Sequence, residues 1–275
     1  MPSKISILMS TYNGEKYLSQ QIDSILHQSY KDWNLYIRDD GSTDNTLQII
    51  VNYCTSYSNI YCLQDPEHRG ACMSFLWLLE QIESEYYMFC DQDDVWLANK
   101  ILLSLEKMKE TEFDYPDVPI LVHTDLKVVN KDLKEKNPSF WMQAKLNQLY
   151  LSKFNYAGVC NGVTGCTLMI NNKAKQLAFP LVPLIPMHDY WIFLNVAKNG
   201  KIVPVYSATI LYRQHGKNEV GAQNINSVYY FNRVKKIKKT VKKQWQMYKF
   251  LKHLNYGSLL KYYCYKIYYT VIRNL

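Results

Sequence analysis

The 275-residue sequence has no apolar run long enough to span a membrane, because no stretch reaches the ~18 uncharged apolar residues that a spanning helix needs. The opening Met-Pro-Ser-Lys leads straight into a short apolar run at 5–9, with neither the long apolar region nor the cleavage site of a signal peptide. The seven cysteines form no C-x-x-C pair and no zinc-binding spacing. This pattern is typical of reduced thiols, so we expect a cytoplasmic protein.

Acidic residues are missing from the end of the sequence. Residues 229–275 contain twelve Lys or Arg and no Asp or Glu, whereas residues 1–228 contain 20 basic and 24 acidic residues. The net charge of +8 therefore combines a mildly acidic body with a strongly basic tail. Apolar residues recur at steps of three or four from Val234 to Leu251 with lysines between them, which predicts an amphipathic helix.

Both common glycine-rich nucleotide loops are also missing. The sequence contains no G-x-G-x-x-G and no G-x-x-x-x-G-K-S/T. The segment "DDGSTDNT" that begins at Asp39 does not complete a calcium loop, because the glutamate required at the twelfth position is missing. A nucleotide or a metal would therefore need a different kind of loop.

Apolar runs and helical patterns alternate along the first 110 residues. Predicted strands at 4–9, 33–38, 59–63 and 86–90 are each followed by a predicted helix. This order implies right-handed β-α-β connections and an α/β fold with a mainly parallel sheet. The second half is less regular, and we expect strands in "PILVHTDLKVV", "GVTGCTLMI" and "KIVPVYSATILYR", one helix from Ser139 to Leu151, and a helix in "HDYWIFLNVAKNG".

Three polar segments, 10–14, 39–44 and 91–94, directly follow predicted strands. Because the carboxyl ends of parallel strands meet at one edge of the sheet, where α/β proteins bind ligands, we expect these segments to form one site. The third segment, "CDQDDVW", crowds Asp91, Asp93 and Asp94 at a strand end. Two carboxylates about 4 Å apart repel by roughly 4 kcal/mol at an effective dielectric of about 20. We therefore expect a positive partner there.

The aspartate cluster has three interpretations. The first is a solvated loop whose carboxylates cap a helix. The second is a phosphatase of the haloacid dehalogenase type with a nucleophilic aspartate, but no second Asp-Asp cluster follows a strand beyond residue 97. The third is Mg²⁺ or Mn²⁺ held by carboxylates against a diphosphate.

Several longer motifs carry a family resemblance. The segment "ISILMSTYNGEKYLSQQIDSILHQSYKDWNLYIRDDGSTDNT" resembles the opening of family 2 glycosyltransferases, which are inverting enzymes of the glycosyltransferase-A fold. "FCDQDDVW", "HDYW" and "YRQHGKNEVGA" resemble the bacterial rhamnosyltransferase-like branch. The resemblance extends from Ile5 to about Ala222. It implies a catalytic domain at 1–222, with a nucleotide-binding half at 1–110 and an acceptor-binding half at 111–222, followed by a helical tail at 223–275.

The resemblance also implies a nucleotide site. Asp40 would accept a hydrogen bond from N3–H of a pyrimidine, which suits uracil or thymine and not cytosine. His68-Arg69-Gly70 stands where the family often has Asn-x-Gly, so Arg69 and Gly70 match the donor loop only loosely. The implied nucleotide-binding residues are Thr11, Tyr12, Asn13, Asp40, Arg69, Gly70 and Asp91.

For the chemistry, the resemblance implies Mn²⁺ or Mg²⁺ held by Asp93, Asp91 and His215, with Asp91 also near the ribose. Asp189 of "HDYW" would be the catalytic base, although an aspartate before a helical run is also an ordinary N-cap. Asp94 would support the site or cap the following helix, and Arg213 would bind the diphosphate as an alternative to His215. The implied donor and acceptor pocket contains Asp94, Trp96, Gly165, Cys166, Thr167, His188 and Arg213.

The best-matching reaction is transfer of L-rhamnose from dTDP-rhamnose to a lipid-linked saccharide acceptor in bacterial surface polysaccharide synthesis. The alternatives are a UDP-hexose or UDP-N-acetylhexosamine donor and, more remotely, a basic nucleic-acid-binding protein, although no nucleic-acid-binding motif occurs. The tail is either a solvated lysine face packed on the body, a contact for a partner protein, or a peripheral contact with the anionic inner face of the cell membrane. The residues predicted to contact the membrane are Lys235, Lys236, Lys238, Lys239, Lys242, Lys243 and Trp245.

Overall fold

The computed structural model describes residues 4–215 and 237–274. In the first half, strands and helices alternate as the sequence predicts. The elements are β1 (Ile5–Thr11), α1 (Leu18–Leu26), β2 (Trp33–Asp39), α2 (Thr46–Ser56), β3 (Ile60–Cys62), α3 (Gly70–Gln81), β4 (Tyr86–Cys90), β5 (Val95–Trp96) and α4 (Lys100–Asp114).

The second half contains longer strands and shorter helices. Its elements are β6 (Ile120–Asn130), β7 (Glu135–Asn137), α5 (Phe140–Gln143), α6 (Gln148–Leu151), α7 (Phe154–Ala157), a 3₁₀ turn (Gly165–Thr167), β8 (Leu168–Asn171), α8 (Asn172–Leu177), α9 (His188–Asn199) and β9 (Lys201–Gln214). The tail contributes α10 (Ile237–Lys252) and α11 (Leu259–Ile272).

One nine-stranded sheet runs through the described residues in the order β3-β2-β1-β4-β8-β6-β9-β5, with β7 beside β6. The pairs among β1 to β4 are parallel, which places the ends of β1, β2 and β4 at one edge. In the second half β8 is antiparallel to β4 and β6, whereas β9 is parallel to β6. The sheet is therefore parallel in its first half and mixed in its second.

Both faces of the sheet are covered, which explains the unbroken apolar sequence of β1. Ile5, Ile7 and Met9 pack with α1 and α4 on one face, and Leu8 packs with α3 and α9 on the other. All four side chains are buried. Because the central strands have no solvated face, they can hold the loops at their ends rigidly.

Two elements differ from the sequence-based expectation. The single helix expected from Ser139 to Leu151 is divided into α5 and α6, since Lys145 between them has a positive φ of 49°. Ser139 caps the first helix and Asn147 caps the second. The short strand β5, which pairs with the end of β9, was not expected at all.

The tail helices pack against the catalytic body. The Tyr256, Tyr262 and Tyr269 side chains are buried, and Trp191 of α9 contacts Phe250 of α10 with ring centroids 5.8 Å apart. These three tyrosines therefore form part of the core, whereas Tyr268 is 52% exposed. Within the described residues, no helix has the length and apolarity needed to cross a membrane. The boundary at residue 222 remains a prediction.

Candidate active site

A cavity of about 440 Å³ opens at the ends of β1, β2 and β4. One wall comes from the loops after β1 and β2 and from the start of α3. A second wall comes from residues 164–165 and the start of α9, and the segment after β4 also lines the cavity. The lining residues are Ser10, Thr11, Tyr12, Asp40, His68, Gly70, Ala71, Phe75, Asp91, Gln92, Asp93, Thr164, Gly165, Met187, His188, Asp189 and Tyr212.

Asp40 is the centre of a buried charge network on the first wall. Its Oδ1 lies 2.5 Å from Nη1 of Arg38, which is fully buried and also contacts Asp65. The backbone N–H groups of Arg69 and Gly70 donate to the same carboxylate at 2.8 Å. Burial raises the pKa of Asp40, but the hydrogen bonds from Arg38 and these two N–H groups outweigh it, so the net pKa is lowered.

This network changes the expected role of Arg69. The Arg69 guanidinium contacts Asp65 and Glu67, and it is the backbone N–H of Arg69 that reaches Asp40. Gly70 has a φ of +70°, which only glycine adopts without strain, so it turns its own N–H onto the carboxylate. His68, which the sequence analysis did not select, lines the cavity instead of Arg69.

Tyr12 and His68 form an aromatic pair at the cavity mouth, with ring centroids 5.3 Å apart. Gln92 fixes the backbone of Tyr12 by accepting from its N–H and donating to its carbonyl, both at 2.9 Å. Asn13 points elsewhere, because its Oδ1 accepts from the N–H of Thr43 at 2.8 Å. Asn13 therefore holds the loop together and is absent from the cavity lining.

The three aspartates after β4 lie in different environments. Asp91 and Asp93 line the cavity, whereas Asp94 is fully buried beneath it and accepts from the backbone N–H of Arg213 at 3.0 Å. Burial, and then the charges of Asp93 and Asp189, raise the pKa of Asp91 to about 7. Burial and the neighbouring Asp93 and Asp91 also raise the pKa of Asp94. Asp94 does not cap α4, whose N-cap is Asn99.

A positive group does lie near these carboxylates. Lys100 is fully buried, and its Nζ has no hydrogen-bond partner within 4–215 or 237–274. Burial lowers the pKa of Lys100 to about 8, opposed by the nearby Cys166, Cys90 and Asp94. One buried cation supplies less positive charge than the three aspartates would carry negative, so the cluster retains its affinity for a further cation.

The residues at this site fit a hard divalent metal. Asp91 and Asp93 present carboxylate oxygens to the cavity, and such oxygens are the ligands that Mg²⁺ and Mn²⁺ prefer. His215 approaches the same place, with Nε2 2.6 Å from Oδ2 of Asp93 and its ring 5.1 Å from that of Tyr17.

Asp189 lies on the second wall, in the first turn of α9. The N-cap of α9 is Met187, so the alternative that Asp189 is an ordinary N-cap is wrong. Its Oδ2 accepts from Nδ2 of Asn161 at 3.4 Å, and its Oδ1 accepts from the N–H of Tyr190 at 2.6 Å. Burial raises the pKa of Asp189 to about 6, although these hydrogen bonds act in the opposite direction.

His188 stands beside Asp189 and stacks on Phe75 with ring centroids 4.2 Å apart. Burial lowers the pKa of His188 to about 3, so the ring is neutral. A Cβ at Gly165 would lie 2.8 Å from Nε2 of His188, which shows that the 164–165 loop approaches α9 closely only because it lacks a side chain there.

Five residues predicted to line the pocket, among them the buried Asp94, do not line it. Trp96 is buried in the core, where it packs with α4 beside the end of β9. Cys166 and Thr167 are buried behind Gly165, with Thr167 Oγ1 donating to the carbonyl of Thr164. Arg213 is buried as well, and its guanidinium donates to Asp93 O, Lys131 O and Gln20 Oε1. Arg213 therefore fixes the loop that carries Asp93, and the diphosphate alternative is wrong for it.

Several lining residues were not among those predicted from the sequence. Gln92 lies inside the "DQDD" motif, His68 precedes Arg69, and Thr164 precedes Gly165, so a wider reading of each motif could have included them. Phe75, Met187 and Tyr212 carry no such signal, because only the fold brings them to the cavity.

The predicted membrane residues are only partly covered. Lys235 and Lys236 lie outside the described residues, as do the side chains of Lys238 and Lys239. Lys242 and Lys243 are exposed on α10, and Trp245 is 45% exposed beside them.

The chain is similar to known proteins over most of its length. The model of the family "Glycosyl transferase family 2" matches residues 6–172. The chain is 28% identical over 228 residues to the dTDP-rhamnosyl transferase RfbG of Shigella flexneri, which covers 78% of this chain and 74% of that protein. It is 26% identical over 198 residues to the Escherichia coli UDP-Glc:alpha-D-GlcNAc-diphosphoundecaprenol beta-1,3-glucosyltransferase WfgD, covering 72% of this chain and 71% of that one.

Solved structures share the fold. S. aureus TarS 1-349 in complex with UDP-GlcNAc superposes with a TM-score of 0.58 at 19% identity, covering 81% of this chain and 62% of that one. The mannosyltransferase PcManGT from Pyrobaculum calidifontis, in complex with GDP-Man and Mn²⁺, gives 0.58 at 12% identity, covering 80% and 58%. The chain thus spans about three fifths of these structures. With the family model covering both the strand-end loops and the aspartates after β4, the chain belongs to glycosyl transferase family 2 and is a glycosyltransferase of the glycosyltransferase-A fold.

Proposed function

We propose that the protein transfers a sugar from a nucleotide diphosphate donor to a saccharide acceptor with inversion, with the help of a divalent metal ion. The observation that carries the proposal is the arrangement of one cavity. Asp91 and Asp93 line it beside the nucleotide loops, and Asp189 of α9 lines the same space. An in-line displacement needs the leaving group and the base on opposite sides of the reacting carbon.

The first wall suits a nucleoside. Tyr12 is 49% exposed and offers its ring face to a base, and Thr11 lies beside it. Asp40 is the acceptor proposed for N3–H of uracil or thymine, although both of its oxygens already accept hydrogen bonds. We propose that Asp40 both organises the 65–70 loop and faces the base, and that Asp91 contacts the ribose.

We propose that Asp93, Asp91 and His215 hold the metal. Mg²⁺ or Mn²⁺, when bound there, would neutralise the negative charge that builds up on the departing diphosphate. The chain itself positions these ligands: Arg213 fixes the carbonyl of Asp93, and Nε2 of His215 already lies against its carboxylate.

Asp189 is proposed as the general base. Its side chain is buried and lines the cavity, so it can accept the proton of an acceptor hydroxyl where little water competes. A pKa of about 6 leaves it mostly ionised at neutral pH. His188, Gly165 and Thr164 line the space beside Asp189. Because the pKa of His188 is lowered to about 3, its ring is a poor base and does not compete with Asp189 for the acceptor proton.

The donor, acceptor and setting are finer proposals. RfbG is named for dTDP-rhamnose and WfgD for UDP-Glc and a diphosphoundecaprenol-linked acceptor. We propose dTDP-rhamnose as the donor, with UDP-hexose or UDP-N-acetylhexosamine as the alternative, and a lipid-linked saccharide as the acceptor in bacterial surface polysaccharide synthesis. The basic tail helices would then hold the protein on the anionic inner face of the cell membrane.

A screen of sugar nucleotides tests the proposal. Purified protein would be incubated with dTDP-rhamnose, UDP-glucose and UDP-N-acetylglucosamine, each with MnCl₂, MgCl₂ or EDTA, and release of the nucleoside diphosphate would be measured. We expect release from one donor in the presence of metal and its loss in EDTA. Equal release with EDTA would contradict the metal, and no release from any donor would contradict the donor class.

A further inference from the structure

A second cavity, of about 680 Å³, lies outside the proposed reaction site. Its walls come from β6, the middle of β9, the α5–α6 segment and the end of tail helix α11. None of its lining residues has a part in the reaction described above. We call it the tail-side cavity.

A break in strand pairing directs an aromatic ring to this cavity. Thr124 of β6 pairs with Val205 of β9, but the next residue, Asp125, pairs with Ala208. Tyr206 and Ser207 are therefore extra residues in a bulge, a feature that often re-aims a side chain beside a functional site. Tyr206 is consequently 70% exposed although it belongs to a strand.

The exposed Tyr206 ring meets the buried Trp141 ring at a right angle. Their centroids are 5.7 Å apart and their planes are inclined by 88°. Asp125 holds this corner in place, because its carboxylate accepts from the N–H of Trp141 at 3.2 Å and from Ser139 Oγ at 2.5 Å. Such a fixed aromatic corner offers two apolar surfaces to a flat, hydroxyl-bearing ring.

Positive groups lie on the side of the cavity opposite this corner. Lys145 and Arg273 both line it, and Lys145 Nζ donates to Asn274 at 3.2 Å. Arg273 donates to the carbonyl of Ala144, while its Nε is buried and has no hydrogen-bond partner among the residues that the structure describes. Lys145 and Arg273 thus bring two cationic side chains to the lining, and cationic donors suit a phosphate oxygen.

The surrounding sequence has the same electrostatic character. Residues 136–275 contain 21 Lys or Arg and two acidic residues, Asp189 and Glu219, whereas residues 1–135 contain 11 basic and 22 acidic residues. The segments that build most of the tail-side cavity are therefore rich in basic residues, although Asp125 also lines it.

A single short segment separates the two cavities. Gln148 lines the tail-side cavity and donates to the carbonyl of Gly162 at 3.2 Å. Three residues later, Gly165 lines the reaction cavity, and Asn161 in the same segment donates to Asp189. Because an extended residue spans at most about 3.6 Å, Gly162 and Gly165 lie within about 11 Å of each other. The two cavities therefore border the same short segment.

We propose that the tail-side cavity binds an anionic saccharide, a sugar ring that carries a phosphate, as the part of the acceptor remote from the reacting hydroxyl. The inference rests on the proposed glycosyl transfer. It assigns Tyr206 and Trp141 to the sugar ring and Lys145 and Arg273 to the phosphate. It also gives the tail helix α11 a role in acceptor binding.

The test uses N-acetylglucosamine 1-phosphate as the probe, with N-acetylglucosamine alone and inorganic phosphate alone as the other two arms. Binding to the full-length protein is measured by saturation-transfer NMR. We expect Tyr206→Ala and Lys145→Ala each to weaken binding of the phosphorylated sugar about five-fold. Lys145→Ala should leave the weaker binding of the uncharged sugar unchanged.

Phe113→Ala and Lys109→Ala serve as matched controls, because they remove an exposed aromatic ring and an exposed lysine from α4, which contributes no residue to the cavity lining. Asp189→Asn controls for binding in the reaction cavity and should bind the probe like the unaltered protein. Unchanged affinity in both cavity variants would overturn the inference, as would tighter binding of phosphate alone than of the phosphorylated sugar.

Metal-dependent release of nucleoside diphosphate from the donor, measured on the same samples, separates this inference from the proposed function. If release persists while the cavity variants bind the probe normally, only the inference fails. If the unaltered protein binds the probe through Tyr206 and Lys145 but releases no nucleotide from any donor, the cavity stands and glycosyl transfer fails.

Discussion

The carboxylates of the reaction cavity form two groups whose pKa values are shifted in opposite directions. On the nucleotide wall, Asp40 is neutralised by the buried Arg38 and by two backbone N–H groups, and its net pKa is lowered. Asp91 is partly buried and Asp189 is buried, neither contacts a basic side chain within 4–215 or 237–274, and their pKa values rise to about 7 and about 6. A carboxylate that is paired with a basic side chain stabilises the local structure. A carboxylate without such a pair can bind a metal or accept a proton.

The largest effect should come from breaking the neutralised wall. Arg38→Met would leave Asp40 and Asp65 buried without their shared cation, so we expect the free energy of unfolding to fall by roughly 3–5 kcal/mol, measured by urea titration. Arg69→Met is the control, since Arg69 is partly exposed and should cost far less. Equal losses in the two variants would show that Arg38 is not the organising cation.

Asp93→Asn, on the segment after β4, should leave the fold intact and lower the rate of the reaction. Removing a charged ligand weakens metal binding, and we expect donor turnover at a fixed metal concentration to fall by at least about a hundred-fold. Glu106→Gln removes an exposed acid from α4 and should turn over normally. Full activity of Asp93→Asn at low metal concentration would contradict the assignment.

The raised pKa of Asp189 predicts a pH dependence of transfer. The ionised carboxylate is the active form, so below its pKa of about 6 the rate at saturating donor and metal should fall about ten-fold per pH unit. Above that pH the rate should be constant. A profile that is flat between pH 4.5 and 6 would show that this carboxylate does not need to be ionised.

The smallest effect concerns the tail, whose charges are exposed and not buried. Lys242→Ala should weaken sedimentation with anionic liposomes about five-fold, and Lys109→Ala on the catalytic body should have no effect. Neither protein should bind neutral liposomes. Absence of binding by the unaltered protein to anionic liposomes would end the membrane proposal.

The nucleotide wall and the aspartate segment could be located from sequence because each is continuous. Segments 10–14, 39–44 and 91–94 follow strands, and a parallel sheet brings strand ends together whatever the details of packing. The assignments that failed were of another kind. Trp96 and Arg213 lie in or next to motifs, but the unexpected pairing of β5 with β9 turns both side chains into the protein.

Contacts between residues that are far apart in the sequence could not be predicted either. Arg38 and Asp65 are 27 residues apart, and Lys100 becomes the buried cation of the aspartate cluster only after α4 packs on the sheet. The tyrosines of the tail illustrate the same point. Tyr262 and Tyr269 of α11 and Tyr256 just before it are buried, whereas Tyr268 is exposed, and no local pattern distinguishes the two environments.

Asp189→Asn tests the central claim most directly. The substitution keeps the size of the side chain and removes the base, so donor binding, measured by calorimetry, should stay within about two-fold of the unaltered protein. Transfer to acceptor should fall by about 10²- to 10⁴-fold. Loss of transfer with unchanged donor binding is the result that the account predicts. Transfer at the normal rate by Asp189→Asn would contradict it.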